Sequence, residues 1–135
     1  MAIDRTDTLA LRTEQDVVLA RQHVRRLATE LGYSLIDQTK LVTATSELAR
    51  NTVVHGGGGE MHAEVVFEPA RRGIRLTFAD TGPGIADLTL ALSDGWTSGN
   101  GLGLGLSGAR RLVNEFDIAS APGEGTRVTI ARWRG

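Results

Sequence analysis

Twenty residues from Leu35 to Val54 place Leu41, Val42, Thr45, Leu48, Ala49, Thr52 and Val53 at i, i+3, i+4 and i+7 spacing, and the glycine run Gly56 to Gly59 follows. That periodicity is a helix with one core-facing flank, ended by residues that fix no φ. A helix of this length spans about 30 Å at 1.5 Å per residue, so its apolar flank needs a whole layer to cover it. The other flank carries Lys40, Thr43, Glu47, Arg50 and Asn51. A separation of four residues sets Glu47 and Asn51 on neighbouring turns of one face, where a carboxylate and an amide oxygen converge on one hydrated cation or one phosphate. Most polar helix faces only meet water, so this helix alone does not make a site.

The covering layer is legible downstream. Met61, Ala63, Val65 and Phe67 alternate with His62, Glu64 and Glu68, and after a turn at Pro69 to Gly73, Ile74, Leu76 and Phe78 alternate with Arg75 and Thr77. This reads as a hairpin with one buried face. Upstream, Thr8 to Arg12 reads as a short strand, and Thr13 caps a helix with an acid, Asp16, three residues on. Val17, Ala20, Val24, Leu27, Ala28 and Leu31 form its stripe, Gly32 its stop, and Ser34 caps the next helix. Arg21, Arg25 and Arg26 lie around the remaining circumference, as a solvated face or a partner-binding one.

Further on, Leu88 to Leu92 suggests a helical turn or two. Leu106, Ala109, Leu112, Val113 and Phe116 have helical spacing, Ile118 to Ala121 reads as a strand, and Thr126 to Trp133 as a closing strand with Val128 and Ile130 inward. The expected fold is a single α+β domain over residues 1–135. It is a two-layer sandwich with a mixed, mostly antiparallel sheet and helices on one face.

Charge and composition exclude several classes. A net charge of -1 lacks the basic excess of a phosphate-backbone binder, so nucleic acid is not an expected partner. Without cysteine there is no disulfide framework or thiolate metal site, and His23, His55 and His62 lack zinc-ligand spacing. The first residues hold Asp4, Arg5 and Asp7 rather than a signal peptide, and no apolar run approaches a membrane span, so a cytoplasmic location is expected.

Two glycine-bearing stretches carry the chemistry. Asp80-Thr81-Gly82-Pro83-Gly84-Ile85 presents a carboxylate at a strand end beside a tight bend. Gly99-Asn100-Gly101-Leu102-Gly103-Leu104-Gly105-Leu106-Ser107-Gly108 opens a helix, an arrangement that aims backbone N–H groups at an anion, with a polyphosphate as the natural ligand. Three familiar phosphate schemes fail. The P-loop needs a lysine after its last glycine, and Lys40, the single lysine, lies elsewhere. Gly103, Gly105 and Gly108 match the dinucleotide fingerprint literally, but the preceding Trp96-Thr97-Ser98 is no strand. The protein-kinase fold needs a strand lysine and a longer chain.

Glu47-x-x-x-Asn51, Asp80-x-Gly82-x-Gly84 and Gly101-x-Gly103-x-Gly105, in that order and followed by Gly125-Thr126, resemble the N, G1 and G2 boxes of the GHKL ATP-binding superfamily. The resemblance covers nearly the whole chain. Ser46-Glu47-Leu48-Ala49-Arg50-Asn51, Asp-x-Gly-Pro-Gly-Ile and Gly-Glu-Gly-Thr look most like small stand-alone serine/threonine kinases of bacterial stress and sporulation signalling, RsbT-type switch kinases first and RsbW-type anti-sigma kinases next.

The resemblance implies ATP and Mg²⁺ as cofactors. Glu47 would be the catalytic base, Asn51 the Mg²⁺ ligand, Asp80 the acceptor for the adenine amino group and Thr126 its support. Gly82, Gly84, Gly99, Gly101, Gly103 and Gly105 would complete the nucleotide site, and Arg50 would meet phosphate or substrate. It implies a STAS-domain protein as substrate and a PP2C-type phosphatase or other downstream protein as second partner. The alternative is a nucleotide-gated anti-sigma factor that sequesters a sigma factor. The chain lacks the longer phenylalanine-marked segment of histidine kinases between its two glycine boxes, and ends at Gly135 without the lysine-bearing domain of dimeric relatives.

Overall fold

The computed structural model describes residues 2–92 and 105–134. Its elements are β1 (Ala2–Leu11), α1 (Glu14–Glu30), α2 (Leu35–Val54), β2 (Gly59–Glu68), β3 (Arg71–Asp80), α3 (Leu88–Ala91), α4 (Leu106–Arg111), β4 (Glu115–Ser120) and β5 (Thr126–Trp133). The strands form one sheet in the order β1-β2-β3-β5-β4. Every pairing among the described residues is antiparallel, where the sequence reading allows a mixed sheet.

Both long helices start where their caps direct. Thr13 and Asp16 form a reciprocal capping box at α1, and the Ser34 side chain accepts from the Asp37 N–H at α2. From α2, Leu41, Ala44, Thr45, Leu48, Ala49 and Thr52 are buried against Met61, Ile74, Leu76, Phe78 and Ile130 of the sheet. Val42 and Val53, expected among them, are only half-buried, and the smaller Ala44 takes the inward position. The buried flank thereby brings one helix face close to the sheet while Glu47 stays on the exposed side. No helix among the described residues is long and apolar enough to cross a membrane.

Two boundaries differ from the periodicity. Strand β1 begins at Ala2 rather than Thr8, because its register with β2, bulged between Ile3 and Arg5, is imposed by pairing and not by alternating apolarity. Helix α4 ends at Arg111, and Phe116 lies in β4 instead of continuing the helix. The Asn114 N–H donates to the Ala131 carbonyl (2.9 Å), and Asn114 Oδ1 accepts from the Trp133 N–H (2.7 Å), so β5 captures the chain before another helical turn forms.

The end of the sheet away from the glycine boxes is tied by Tyr33. Its hydroxyl donates to the Arg132 carbonyl and accepts from the Ile74 N–H (3.0 Å), bridging two residues that face each other across β3 and β5. Burial pushes its pKa far above the ordinary tyrosine range, so it remains a neutral donor. Tyr33→Phe strands a buried N–H and C=O and is expected to lower the unfolding free energy by about 1–3 kcal/mol, checked by urea denaturation.

Beside it, Arg132 Nη2 meets Asp37 Oδ1 at 2.5 Å and Nη1 donates to the Leu112 carbonyl at 3.0 Å. The hydrogen bond from Arg132, ahead of its charge, holds the Asp37 carboxyl below its usual pKa. A depressed carboxylate contributes stability that is fully present above its unfolded pKa and is lost as pH falls through its folded pKa. Asp37→Asn is therefore expected to flatten the acid limb of thermal stability below about pH 4. Parallel melting curves of native and variant protein across that limb check it.

Candidate active site

The Asp80–Ile85 stretch and α2 meet around a cavity of about 440 Å³, lined by Asn51, His55, Asp80, Pro83, Ile85, Leu106 and Thr126 among others. Its floor is apolar, through Leu48, Phe78 and Val128, so a flat base finds cover there while polar groups sit at the two ends. A larger, more open groove of about 1070 Å³ lies on the other face of the sheet, past Glu60, Ala79 and Arg127, and Asp80 and Thr126 border both.

At one end Asp80 closes β3. Its Oδ1 accepts from the N–H groups of Gly82 (2.9 Å) and Thr126 (3.2 Å), which fixes the carboxylate across the β3–β5 pair. Its Oδ2 has no hydrogen bond among the described residues and is left as an acceptor. The carboxyl rests on the Cα of Gly56, where an added Cβ would strike it. In the sequence, the run Gly56 to Gly59 reads either as a plain loop or as a close approach to ligand, and Gly56 is not singled out among the four.

Ser120 was missed. Its hydroxyl donates to the Gly125 carbonyl (2.9 Å), accepts from the Ile85 N–H (2.9 Å) and lies 2.8 Å from Thr126 Oγ1. A hydroxyl has one proton, so with that proton on Gly125 the third contact must be donated by Thr126. Thr126 then offers its lone pairs, and two residues that line the cavity, Asp80 and Thr126, each keep an acceptor oxygen, Oδ2 and Oγ1.

Gly84 sits at φ +76° against the Ala121 carbonyl, with no room for a Cβ, and the Gly123 N–H donates to the Pro83 carbonyl at 2.7 Å. The smallness of Gly84 thus seats the bend on the β4–β5 turn, while Pro83 and Gly84 still line the cavity. Gly82 packs likewise against the backbone of Gly56.

At the other end Asn51 lines the cavity from α2, and Glu47 stands exposed one turn earlier. Gly105, at φ +67°, caps α4, and a Cβ there would strike the Glu47 carboxylate. Leu106, the next residue, lines the cavity. The cavity therefore joins Asn51 and Asp80, whereas Glu47 is not among its lining residues and adjoins it only through Gly105, the neighbour of Leu106. Helix α4 has six residues, too short for the dipole that the sequence reading attached to it. Gly99, Gly101 and Gly103, and the loop from Asp94 to Asn100, lie outside the described residues.

Residues 36–134 match the profile of the histidine kinase-, DNA gyrase B- and HSP90-like ATPases. The chain belongs to this GHKL ATPase family. It is 42% identical over 121 residues to the serine/threonine-protein kinase RsbT of Bacillus subtilis (strain 168), spanning 90% of this chain and 91% of RsbT. The anti-sigma F factor of Oceanobacillus iheyensis is 28% identical over 123 residues, spanning 87% of this chain and 84% of that protein.

Among solved GHKL structures, the RsbU and RsbW domains of a Mycobacterium tuberculosis protein superpose with a TM-score of 0.66 at 22% identity over 98% of this chain, which spans 34% of that longer one. The catalytic domain of the histidine kinase ThkA gives 0.55 at 12% identity, covering 95% of this chain and 96% of that domain. These two likenesses establish the fold. The α+β sandwich with helices on one face is thus the GHKL ATPase fold.

Proposed function

We propose that this GHKL protein is a serine/threonine kinase that transfers the γ-phosphoryl group of ATP to a STAS-domain antagonist protein in a partner-switching pathway. One observation carries it: Asp80 and Thr126, each left with an acceptor oxygen, and Asn51 of α2 line a single cavity, while Glu47, one turn before Asn51 on the same helix, packs against Gly105 beside the cavity-lining Leu106. Two acceptors suit the amino group of adenine and disfavour the carbonyl of guanine. The 42% identity to RsbT supports a protein hydroxyl as the phosphate acceptor.

Asn51 is the residue that would hold Mg²⁺. Among the described residues no group of three or more His, Cys, Asp or Glu side chains is placed to hold a metal, which suits an ion held by one amide oxygen and by phosphates. Mg²⁺ would neutralise charge on the phosphates. Gly82, Gly84, Gly99, Gly101, Gly103 and Gly105 belong to the proposed nucleotide enclosure.

In the transfer, the hydroxyl oxygen of the acceptor bonds to the γ-phosphorus, the bond from that phosphorus to the β–γ bridging oxygen breaks, ADP departs, and Glu47 takes the hydroxyl proton. A PP2C-type phosphatase is the proposed partner of the free kinase, and the cytoplasm its place of action. The similarity to the anti-sigma F factor supports a second reading, sequestration of a sigma factor shaped by bound nucleotide.

Incubation with γ-labelled ATP, Mg²⁺ and a STAS-domain protein tests the first reading, with label expected on serine or threonine. Release of free phosphate without protein labelling would overturn it, and nucleotide-dependent capture of sigma factor without transfer would favour the second.

A further inference from the structure

Three of the large apolar side chains that stand exposed among the described residues, Leu35 (71%), Ile36 (67%) and Val54 (47%), belong to α2, the helix that carries Glu47. At about 100° per residue, Ile36, Thr43, Glu47, Arg50 and Val54 fall within roughly 60° of one another around the helix axis. All five are exposed. They make one open stripe of about 27 Å, with Glu47 some 16 Å from one apolar end and some 10 Å from the other. The flank of α2 opposite this stripe meets the sheet, so the stripe has no part in the core. Arg50 makes no hydrogen bond or ion pair among the described residues.

We infer that this stripe is the docking surface for the folded acceptor protein. The inference rests on the kinase reading and specifies which surface of the molecule that acceptor covers. A proton passes to Glu47 only if the acceptor hydroxyl comes within hydrogen-bond reach of it, so a folded acceptor must also cover the neighbouring turns of α2. The adjoining turns carry Thr43 and Arg50, a cation that an acidic side chain of the partner would pair. About two to three turns away on the same stripe, Val54 and Ile36 offer apolar side chains that burial in an interface would stabilise. A patch of about 800 Å² per partner, usual for a specific complex, is consistent with a helix face of this length plus its borders. The partner is therefore a protein with apolar side chains on both sides of its acceptor serine or threonine and a carboxylate close to that hydroxyl. The net charge of this chain, -1, supplies no general attraction, so recognition falls to this local pattern.

The test is equilibrium binding of a STAS-domain protein to the full chain in the presence of a non-hydrolysable ATP analogue and Mg²⁺. Ile36→Glu and Val54→Glu are each expected to weaken binding by about tenfold or more. Arg50→Glu should do the same, and the double variant Ile36→Ala, Val54→Ala should weaken it by about fivefold without adding charge. Leu19→Glu, at an exposed apolar position on α1, should bind within about twofold of the native protein. Affinity of Ile36→Glu for a fluorescent ATP analogue should be unchanged, which separates docking from nucleotide binding.

Native-like binding by Ile36→Glu, an equal loss in Leu19→Glu, or no binding of a STAS-domain protein to the native chain would overturn the docking surface. Intact, stripe-dependent binding without phosphoryl transfer would uphold the surface and count against the kinase reading.

Discussion

Glu47→Gln is expected to cut phosphoryl transfer to the protein acceptor by roughly 10²–10⁴-fold, the range for loss of a positioned general base. Glutamine keeps the length and shape of glutamate, so the contact with Gly105 persists, and the position is exposed, so the fold does not depend on its charge. The loss should therefore fall on kcat, with nucleotide affinity within about twofold of native, because Asp80 and Thr126 at the far end of the cavity are untouched. Single-turnover transfer and analogue binding measured on the same preparation separate the two. A variant that transfers within threefold of native would remove Glu47 from the role of base, leaving positioning and electrostatics to account for the rate. Gly105→Ala provides an independent approach to the same carboxylate, because the added Cβ both strains a backbone at φ +67° and displaces Glu47.

How far the sequence reaches is clear from where each residue gets its instructions. Thr13 and Ser34 cap their helices from within four residues of chain, so local chemistry alone places them. The closing strand, Thr126 to Trp133, also emerges with the bounds its alternation predicts. The places of Asp80 at a strand end and of Glu47 and Asn51 on one helix were legible because each lies at the end of, or at fixed spacing on, an element with a strong period.

The residues that escaped take their meaning from distant partners. Ser120 reads as an ordinary strand residue until Ile85, 35 positions away, donates to it. Gly56 is indistinguishable from its neighbours until Asp80 packs on it. Phe116 has helical spacing, and only the capture of Asn114 by β5 turns it into a strand residue. The errors thus cluster where a long-range hydrogen bond overrides a local pattern. Gly84, which lines the cavity, also takes part of its reason from a distance, because the Ala121 carbonyl occupies the space a Cβ would need.

Asp80→Asn is expected to weaken ATP binding by about a hundredfold and to reverse the preference between ATP and ITP. The two carboxylate oxygens have separate duties. Oδ1 holds the Gly82 and Thr126 N–H groups, and an asparagine amide oxygen in that place continues to accept from both. Its NH₂ then stands where Oδ2 stood, a donor facing the amino group of adenine instead of an acceptor. A charge-assisted hydrogen bond contributes about 1.5–3 kcal/mol, a factor of roughly 10–150 in affinity, and two opposed donors add to the loss. Inosine carries a carbonyl at that position, and it gains a partner from the same substitution.

Stability should change little in Asp80→Asn, whereas Asp80→Ala leaves two N–H groups without their acceptor and should cost about 1–3 kcal/mol for each one that stays buried. Dissociation constants for ATP and ITP on native and Asp80→Asn protein give the decisive ratio. If that ratio is the same for both proteins, the base does not meet Asp80, and the nucleotide lies in the cavity in some other orientation.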